Sequence, residues 1–266
     1  MRIDELFSVQ GKVAVVTGGS RGIGYMIATG LVANGVRTYI TARKADACDA
    51  AAAELSEVYE VSEHGECISI PADLSTTEGI EAFVAGFTER EDHLDVLVNN
   101  AGAAWGAPLG EFPELGFDKV LSINVKAPFL LTQALLPQLR ARATADDPAR
   151  VIMIGSIDGI RVPIGDNFSY SASKAGIHML ARHLGAFVVG DHITVNSIAP
   201  GPFESKMMEY RLGDPESRRQ VEAANPRGRI GSPEDIAGTV IYLASRAGAY
   251  TTGVVIPVDG GISQLA

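Results

Sequence analysis

Val13-Ala14-Val15-Val16-Thr17-Gly18-Gly19-Ser20-Arg21-Gly22-Ile23-Gly24 is the stretch on which the fold turns. Five residues of strand character run directly into a glycine-rich turn, and a helical pattern begins near Gly22. A strand, a tight turn and a helix in that order form the opening of a βαβ unit. The helix N-terminus then offers unpaired N–H groups and the positive end of its dipole to whatever sits over the turn, an arrangement that suits a pyrophosphate. The glycines fall as Gly18-x-x-x-Gly22-x-Gly24 rather than in the commoner Gly-x-Gly-x-x-Gly order. A purely structural turn is the competing reading of the glycines alone.

Outward from this unit the same rhythm continues. Short apolar runs at 13–17, 37–41, 67–70, 94–98, 151–154, 193–197 and 254–257 alternate with helical patterns at 22–34, 44–61, 76–90, 117–142, 168–189 and 233–245. Runs of four or five apolar residues fit strands buried on both faces, and the long intervals suit crossover helices. The expected architecture is α/β: one domain over 1–266 with a Rossmann-like, doubly wound, seven-stranded parallel sheet and helices on both faces. The stretch 202–231 breaks the rhythm. It holds Phe203, Met207, Met208, Tyr210 and three prolines among charged residues, and reads as a mobile lid over a substrate site. The segment 143–148 reads as a plain polar surface loop.

Composition narrows the function classes. With 22 basic and 32 acidic residues among 266, the net charge of -10 argues against nucleic acid or an anionic membrane as partner. The first residues are acidic where a secretory leader would be apolar, and no run of eighteen apolar residues occurs, so a cytoplasmic protein is expected. Cys48 and Cys67 are too few for a zinc cluster and are expected as free thiols. The five histidines, His64, His93, His178, His183 and His192, show no ligand spacing, and His178 and His183 read as packing or surface residues; no metal is expected.

At the end of the second strand, where an NAD-binding domain often carries a carboxylate for the ribose 2′-hydroxyl, the chain reads Thr41-Ala42-Arg43-Lys44. Arg43, Lys44 and Arg21 of the glycine turn could meet a 2′-phosphate, which favours NADP(H) and leaves NAD(H) as an option.

Tyr170 and Lys174 stand four apart, one helical turn, and fourteen residues after Ser156. Such a spacing puts an ammonium beside a phenol; a working acid/base near neutral pH needs the phenol well below its usual ~10, and a nearby lysine can supply much of that. Ser156, just past the fifth strand, lies at the carboxyl end of the sheet, where its hydroxyl could hold a carbonyl oxygen or merely cap a helix. Trp105, Phe203, Met207 and Met208 are candidates for an acyl-chain channel, or for core.

Thr17-Gly18-x-x-x-Gly22-x-Gly24, Asn99-Asn100-Ala101-Gly102, Asn124, Ser156, Tyr170, Lys174 and Pro200-Gly201 together resemble the short-chain dehydrogenase/reductase family in its compact single-domain branch, over nearly the whole chain. Within it, the segments 99–107, 147–151 and 248–261 are most similar to 3-oxoacyl-(acyl-carrier-protein) reductases of the rhamnolipid pathway. The resemblance implies a catalytic set of Asn124, Ser156, Tyr170 and Lys174, with Asn124 holding a water that relays protons to the lysine. It implies cofactor contacts at Gly18, Ser20, Arg21, Ile23 and Gly24, at Arg43, Lys44, Asp73 and Leu74, and at Asn100, Ala101 and Gly102. Tyr170, Lys174, Pro200, Gly201, Phe203 and Ser205 complete that set. Asp73 also reads as a helix cap ahead of Ser75-Thr76-Thr77, and the two roles are compatible. The activity implied is NADPH-dependent reduction of a carbonyl, a 3-oxoacyl thioester among the candidates, by a homo-oligomer, commonly a tetramer in the family. A sugar or polyol dehydrogenase of the same family and a catalytically silent NADP(H)-binding sensor are the alternatives.

Overall fold

The computed structural model describes residues 2–58 and 65–264. Residues 59–61 of the expected helix 44–61, and His64, lie outside them. A helical turn, α1 (Ile3–Leu6), precedes β1 (Val13–Thr17), α2 (Gly22–Ala33), β2 (Arg37–Thr41), α3 (Ala45–Val58), β3 (Glu66–Ser69), α4 (Thr77–Thr88) and β4 (Val96–Asn99). After it come α5 (Glu114–Leu121), α6 (Ala127–Ala134), α7 (Leu136–Ala141), β5 (Ala149–Ile154), α8 (Phe168–Val188), β6 (Ile193–Pro200), α9 (Glu209–Leu212), α10 (Pro215–Ala224), α11 (Pro233–Ala244) and β7 (Val255–Val258).

The seven strands form one sheet in the order β3-β2-β1-β4-β5-β6-β7, and every pairing is parallel. Successive residues of β1 supply both faces: Val13 and Val15 join a core under α4, α6, α7 and α8, while Ala14 and Val16 join one under α2, α3 and α11. That two-sided burial is why the strand reads as an unbroken apolar run rather than an alternation. Strand order reverses direction at β1 and β4, so the carboxyl ends of these two strands open the crevice in which doubly wound sheets take their ligands.

Two expectations are corrected. The helix expected over 117–142 is three helices joined through a wide π turn at Ser122–Lys126, and α6 and α7 each carry a proline in their first turn, Pro128 and Pro137. Proline cannot donate within a helix, so the chain breaks and restarts around both. The stretch 202–231, read without regular structure, contains α9 and α10. Asp214 caps α10 by accepting from Ser217 N–H at 2.8 Å, with Pro215 in the first turn. Leu212, Val221 and Ile230 close a small core of their own beneath these helices.

The loop at 143–148 is also more than a plain connection. Arg150, 1% exposed, donates to Asp147 at 2.6 Å and to the carbonyls of Leu243 and Ser245 at the end of α11. Asp147 also receives Lys12 at 2.7 Å.

Candidate active site

At the phosphate end, Gly18 and Gly22 take φ of +67° and +57°, a left-handed backbone that favours glycine. Gly24 has a different reason to be glycine: a β-carbon there would run into the Gly18 carbonyl and the Asn100 amide. The turn is tied to the end of β4. Thr17 Oγ1 accepts from the N–H groups of Asn100 and Ala101, both at 2.9 Å, and Asn100 Nδ2 donates to the Thr17 carbonyl at 2.8 Å. Ser20 and Ile23 sit on the same turn, half-buried. A β-carbon on Gly22 would stand 3.2 Å from Ser205 Cβ, so the glycine turn and the segment after β6 meet, as the expected cofactor groove requires.

Arg21, Arg43 and Lys44 are exposed at the carboxyl ends of β1 and β2, and among the described residues none forms an ion pair. Arg43 does act on Asp73. The Asp73 carboxyl is held below its usual range by Ser75 first, whose hydroxyl and N–H donate at 2.6 and 3.0 Å, with Arg43 adding to it. Asp73 is therefore the hub of a turn. The cap of α4 is Thr76, accepting from Gly79 N–H at 3.0 Å, which corrects the expected cap at Asp73. Leu74 beside it is buried.

Asn124 occupies the π turn, a helix distortion that recurs at functional sites. Its side chain accepts from Ala103 N–H at 2.8 Å and donates to the Ala103 carbonyl and to Ser173 Oγ, both at 2.9 Å. It thus braces the Asn100-Ala101-Gly102 loop against α8, and a β-carbon on Gly102 would press on Asn124 Oδ1 at 3.1 Å.

Ser156, Tyr170 and Lys174 come together as the sequence led us to expect. Ser156 caps a short helical turn, its hydroxyl accepting from Asp158 N–H at 3.1 Å, and the same hydroxyl lies close enough to the Tyr170 phenol to favour its ionised form. The capping reading of Ser156 is thus met. Lys174 is buried, and its ammonium lies 5.4 Å from the centre of the Tyr170 ring while donating to the Ile154 carbonyl at 2.8 Å.

The expected effect of Lys174 on Tyr170 is not what this geometry gives. Burial pushes the Tyr170 hydroxyl up to about 12; the nearby Ser156 hydroxyl opposes that, and Asp158 and Tyr210 add to it. The ammonium addresses the ring face and a backbone carbonyl, and burial lowers Lys174 itself to about 8. Here the cost of burying either charge outweighs their mutual attraction.

Three residues of this site escaped the sequence reading. Asp158 holds Asn167 Nδ2 at 3.2 Å and faces Tyr170; Ser173 joins Asn124 to α8; His178 accepts from Ser156 N–H at 3.4 Å. His178 and Ser173 fall at helical spacing from Lys174 and Tyr170, which is the signal that could have found them. His183, read as packing or surface, is exposed on α8, edge-on to Phe187 at 5.2 Å.

After β6, Gly201 N–H pairs with the Val258 carbonyl at 3.0 Å, and a β-carbon there would crowd Asp259. Phe203, 1% exposed, lies in the core against Gly231, and Gly231 N–H closes onto the Pro202 carbonyl at 2.9 Å. This corrects the acyl-channel expectation. Phe203 is core, Met208 packs on the small core under α9 and α10, and Trp105 lies flat on Gly116 with Lys119 over its ring; Met207 alone of the four is exposed.

Residues 18–263 match the family model described as enoyl-(acyl carrier protein) reductase. A relative 33% identical to the chain, covering 97% of it and 93% of its own length, is the short-chain dehydrogenase/reductase PhomF of Diaporthe leptostromiformis. The chain belongs to the short-chain dehydrogenase/reductase family. The rhamnolipids biosynthesis 3-oxoacyl-[acyl-carrier-protein] reductase of Pseudomonas aeruginosa is 48% identical over 96% of this chain and 97% of its own. The solved Pseudomonas aeruginosa RhlG/NADP active-site complex superposes with a TM-score of 0.92 at 47% identity, covering 99% of this chain and all of that one. The 2-dehydro-3-deoxy-D-gluconate 5-dehydrogenase of Escherichia coli is 33% identical over 96% of both chains. As a short-chain dehydrogenase/reductase the protein is an oxidoreductase, with the family's Rossmann-like sheet as its single domain.

Proposed function

We propose that the protein is an NADPH-dependent carbonyl reductase whose foremost substrates are 3-oxoacyl thioesters, which it converts to 3-hydroxyacyl thioesters. One observation carries this reading: the Ser156 hydroxyl stands beside the Tyr170 hydroxyl just past the carboxyl end of β5, with Lys174 directly behind. Two O–H donors converging on one point fit the oxygen of a ketone. Reduction of a carbon–carbon double bond, the reaction of the matched model's description, would place its proton on carbon and make less use of the pair.

The residues fit NADP(H). The left-handed Gly18 and Gly22 keep the turn bare of side chains, and among the described residues Arg21, Arg43 and Lys44 have no acidic partner within ion-pair distance. Gly18, Ser20, Arg21, Ile23 and Gly24 would hold the diphosphate, and Arg21, Arg43 and Lys44 the 2′-phosphate. Asp73 and Leu74 would border the adenine, with Asn100, Ala101 and Gly102 along the groove. Pro200, Gly201, Ser205 and the backbone of Phe203 would border the nicotinamide, and Tyr170 and Lys174 its ribose. When bound, the reduced nicotinamide supplies a hydride. As negative charge grows on the substrate oxygen, Ser156 and Tyr170 stabilise it by hydrogen bonding, and Tyr170 gives its proton to complete the alcohol. The Lys174 ammonium favours the phenolate so formed. Because the Asn124 side chain is engaged by Ala103 and Ser173, the water-holding role falls to its backbone in the π turn.

The segment 202–231 is the substrate lid in this reading, and Tyr210, 78% exposed and acting on Tyr170, brings it to the site. Exposed Leu115, Phe129, Met179 and Phe187 on α5, α6 and α8 support a homotetramer. Net negative charge supports an enzyme without a nucleic-acid partner, and the free thiols of Cys48 and Cys67 support a cytoplasmic one. Likeness to the gluconate-series dehydrogenase favours a second reading, a sugar or polyol dehydrogenase. Initial rates of NADPH and NADH oxidation with acetoacetyl-coenzyme A, a small ketone and 5-ketogluconate separate these. Fastest turnover is expected with NADPH and the thioester, and loss of turnover in Tyr170→Phe; preference for the keto-sugar selects the second reading, and inertness toward every carbonyl despite tight NADPH binding would select a sensor.

A further inference from the structure

Tyr170, Lys174 and His178 follow one another at four-residue intervals along α8 and so lie on one stripe of it. The first two belong to the proposed chemistry; the third has been given none. His178 is 5% exposed, and its Nε2 accepts from the Ser156 N–H at 3.4 Å. The Gly159 backbone lies near the ring and favours its protonated form. With Nε2 accepting, the neutral imidazole carries its one proton on Nδ1, and only the neutral ring can accept and donate at the same time. The surroundings keep it neutral: burial lowers His178 to about 4, and Lys174 and Arg182 push in the same direction.

The loop from Gly155 to Gly159 is fitted to this ring. A β-carbon on Gly155 would fall on the His178 imidazole, and one on Gly159 would meet the Lys174 and Ala175 backbone at 2.5 to 2.7 Å. Glycines at both ends of the loop thus let it close onto α8, and the imidazole takes the N–H of the residue between them whose hydroxyl matters. An apolar side chain could fill the same volume but would leave that buried N–H unpaired.

We propose that His178 is a positioning residue for the reaction: by holding the Ser156 N–H against the loop that closes onto its ring, it fixes where the Ser156 hydroxyl stands relative to the Tyr170 hydroxyl. The inference rests on the reading of Ser156 as a donor to the substrate oxygen. His178 touches neither substrate nor cofactor and acts only through Ser156.

The test is a double-mutant cycle on the full-length protein with NADPH and acetoacetyl-coenzyme A, using His178→Leu and His178→Gln, each alone and combined with Ser156→Ala. His178→Leu is expected to lower kcat about 10- to 100-fold, the scale of a misplaced catalytic group, with the NADPH dissociation constant unchanged. His178→Gln, which keeps an acceptor within reach, is expected to recover most of that loss. In the Ser156→Ala background the leucine change should cost less than about 2-fold, because the group it positions is gone. Full kcat in His178→Leu, an equal loss in both backgrounds, or a glutamine variant no better than the leucine one would each overturn the proposal. Should the leucine variant fail to fold, His178→Asn, with a shorter amide, takes its place under the same criteria. Wild-type kcat in Ser156→Ala alone would overturn the reading of Ser156 itself, a distinguishable result.

Discussion

The ammonium of Lys174 donates a 2.8 Å hydrogen bond to the carbonyl of Ile154, the last residue of β5. This one bond pins α8 to the carboxyl end of the strand that delivers Ser156, and it does so with a buried cation. Position is thereby obtained at a cost in stability.

That cost is measurable. Lys174 is lowered from 10.5 to about 8 by burial, so between pH 8 and 10.5 the unfolded chain keeps a proton that the folded chain has released. Stability from this group therefore rises with pH across that window, by about 3 kcal/mol at most. Lys174→Met should lack this rise. Denaturant unfolding of the two proteins from pH 7 to 10.5 should show wild type gaining on the methionine variant as pH increases, and parallel curves would count against a depressed lysine.

The same titration should limit reduction in alkali. Tyr170, held near 12, stays protonated and able to donate throughout the working range, whereas Lys174 loses its charge near 8. The pH profile of kcat/KM for carbonyl reduction is expected to fall above about 8, reporting the free enzyme. Full activity at pH 10 would show that the lysine charge is not needed.

Cofactor choice should reside in Arg43. Removing one charge-assisted contact to a 2′-phosphate loses roughly 1.5 to 3 kcal/mol, so Arg43→Ala should raise the KM for NADPH about 10- to 100-fold. The KM for NADH should stay as it was. Equal changes for both cofactors would move the phosphate site elsewhere.

Asp147→Ala should be a stability mutant with a sound active site. It strips Arg150, 1% exposed, of its carboxylate, leaving the guanidinium to the carbonyls of Leu243 and Ser245. A loss on the order of 3 kcal/mol is expected, at the low end for a broken buried pair because Asp147 is itself half-exposed. Asp147 sits below its usual carboxylate range through Lys12 and Arg150, so its contribution is present above pH 4 and fades as acid protonates it. The gap in melting temperature between wild type and variant should narrow in acid, with kcat at 25 °C the same at neutral pH.

Most of the sheet was legible because parallel strands buried on both faces write themselves as apolar runs, and β1, β2, β5 and β6 begin or end within two or three residues of their expected limits. The π turn at Asn124 was not legible: nothing in Ser122-Ile123-Asn124-Val125-Lys126 departs from an ordinary helical pattern, and the extra residue of such a turn has no composition of its own. Helix α10 was legible and was passed over, since Asp214-Pro215-Glu216 is a start signal of the same kind as Ser232-Pro233-Glu234. Spacing put Tyr170, Lys174 and Ser156 together correctly. It could not tell that Lys174 would face the ring and the Ile154 carbonyl, because direction within a buried site depends on packing that a spacing rule does not contain.

Phe203 and Gly231 meet as neighbours across a parallel bridge, with Gly231 N–H on the Pro202 carbonyl, so the chain leaves the sheet and returns to it through a single closed neck. Between them α9, α10 and their small core form an insert, tied to the body again where the Asn225 amide donates to the Asp259 carbonyl at 2.9 Å. Such an insert can lengthen, shorten or be exchanged for a relative's without disturbing strand order. In the proposed reading, thioester and sugar reductases would then part company in this insert while the strand order beneath it stays the same.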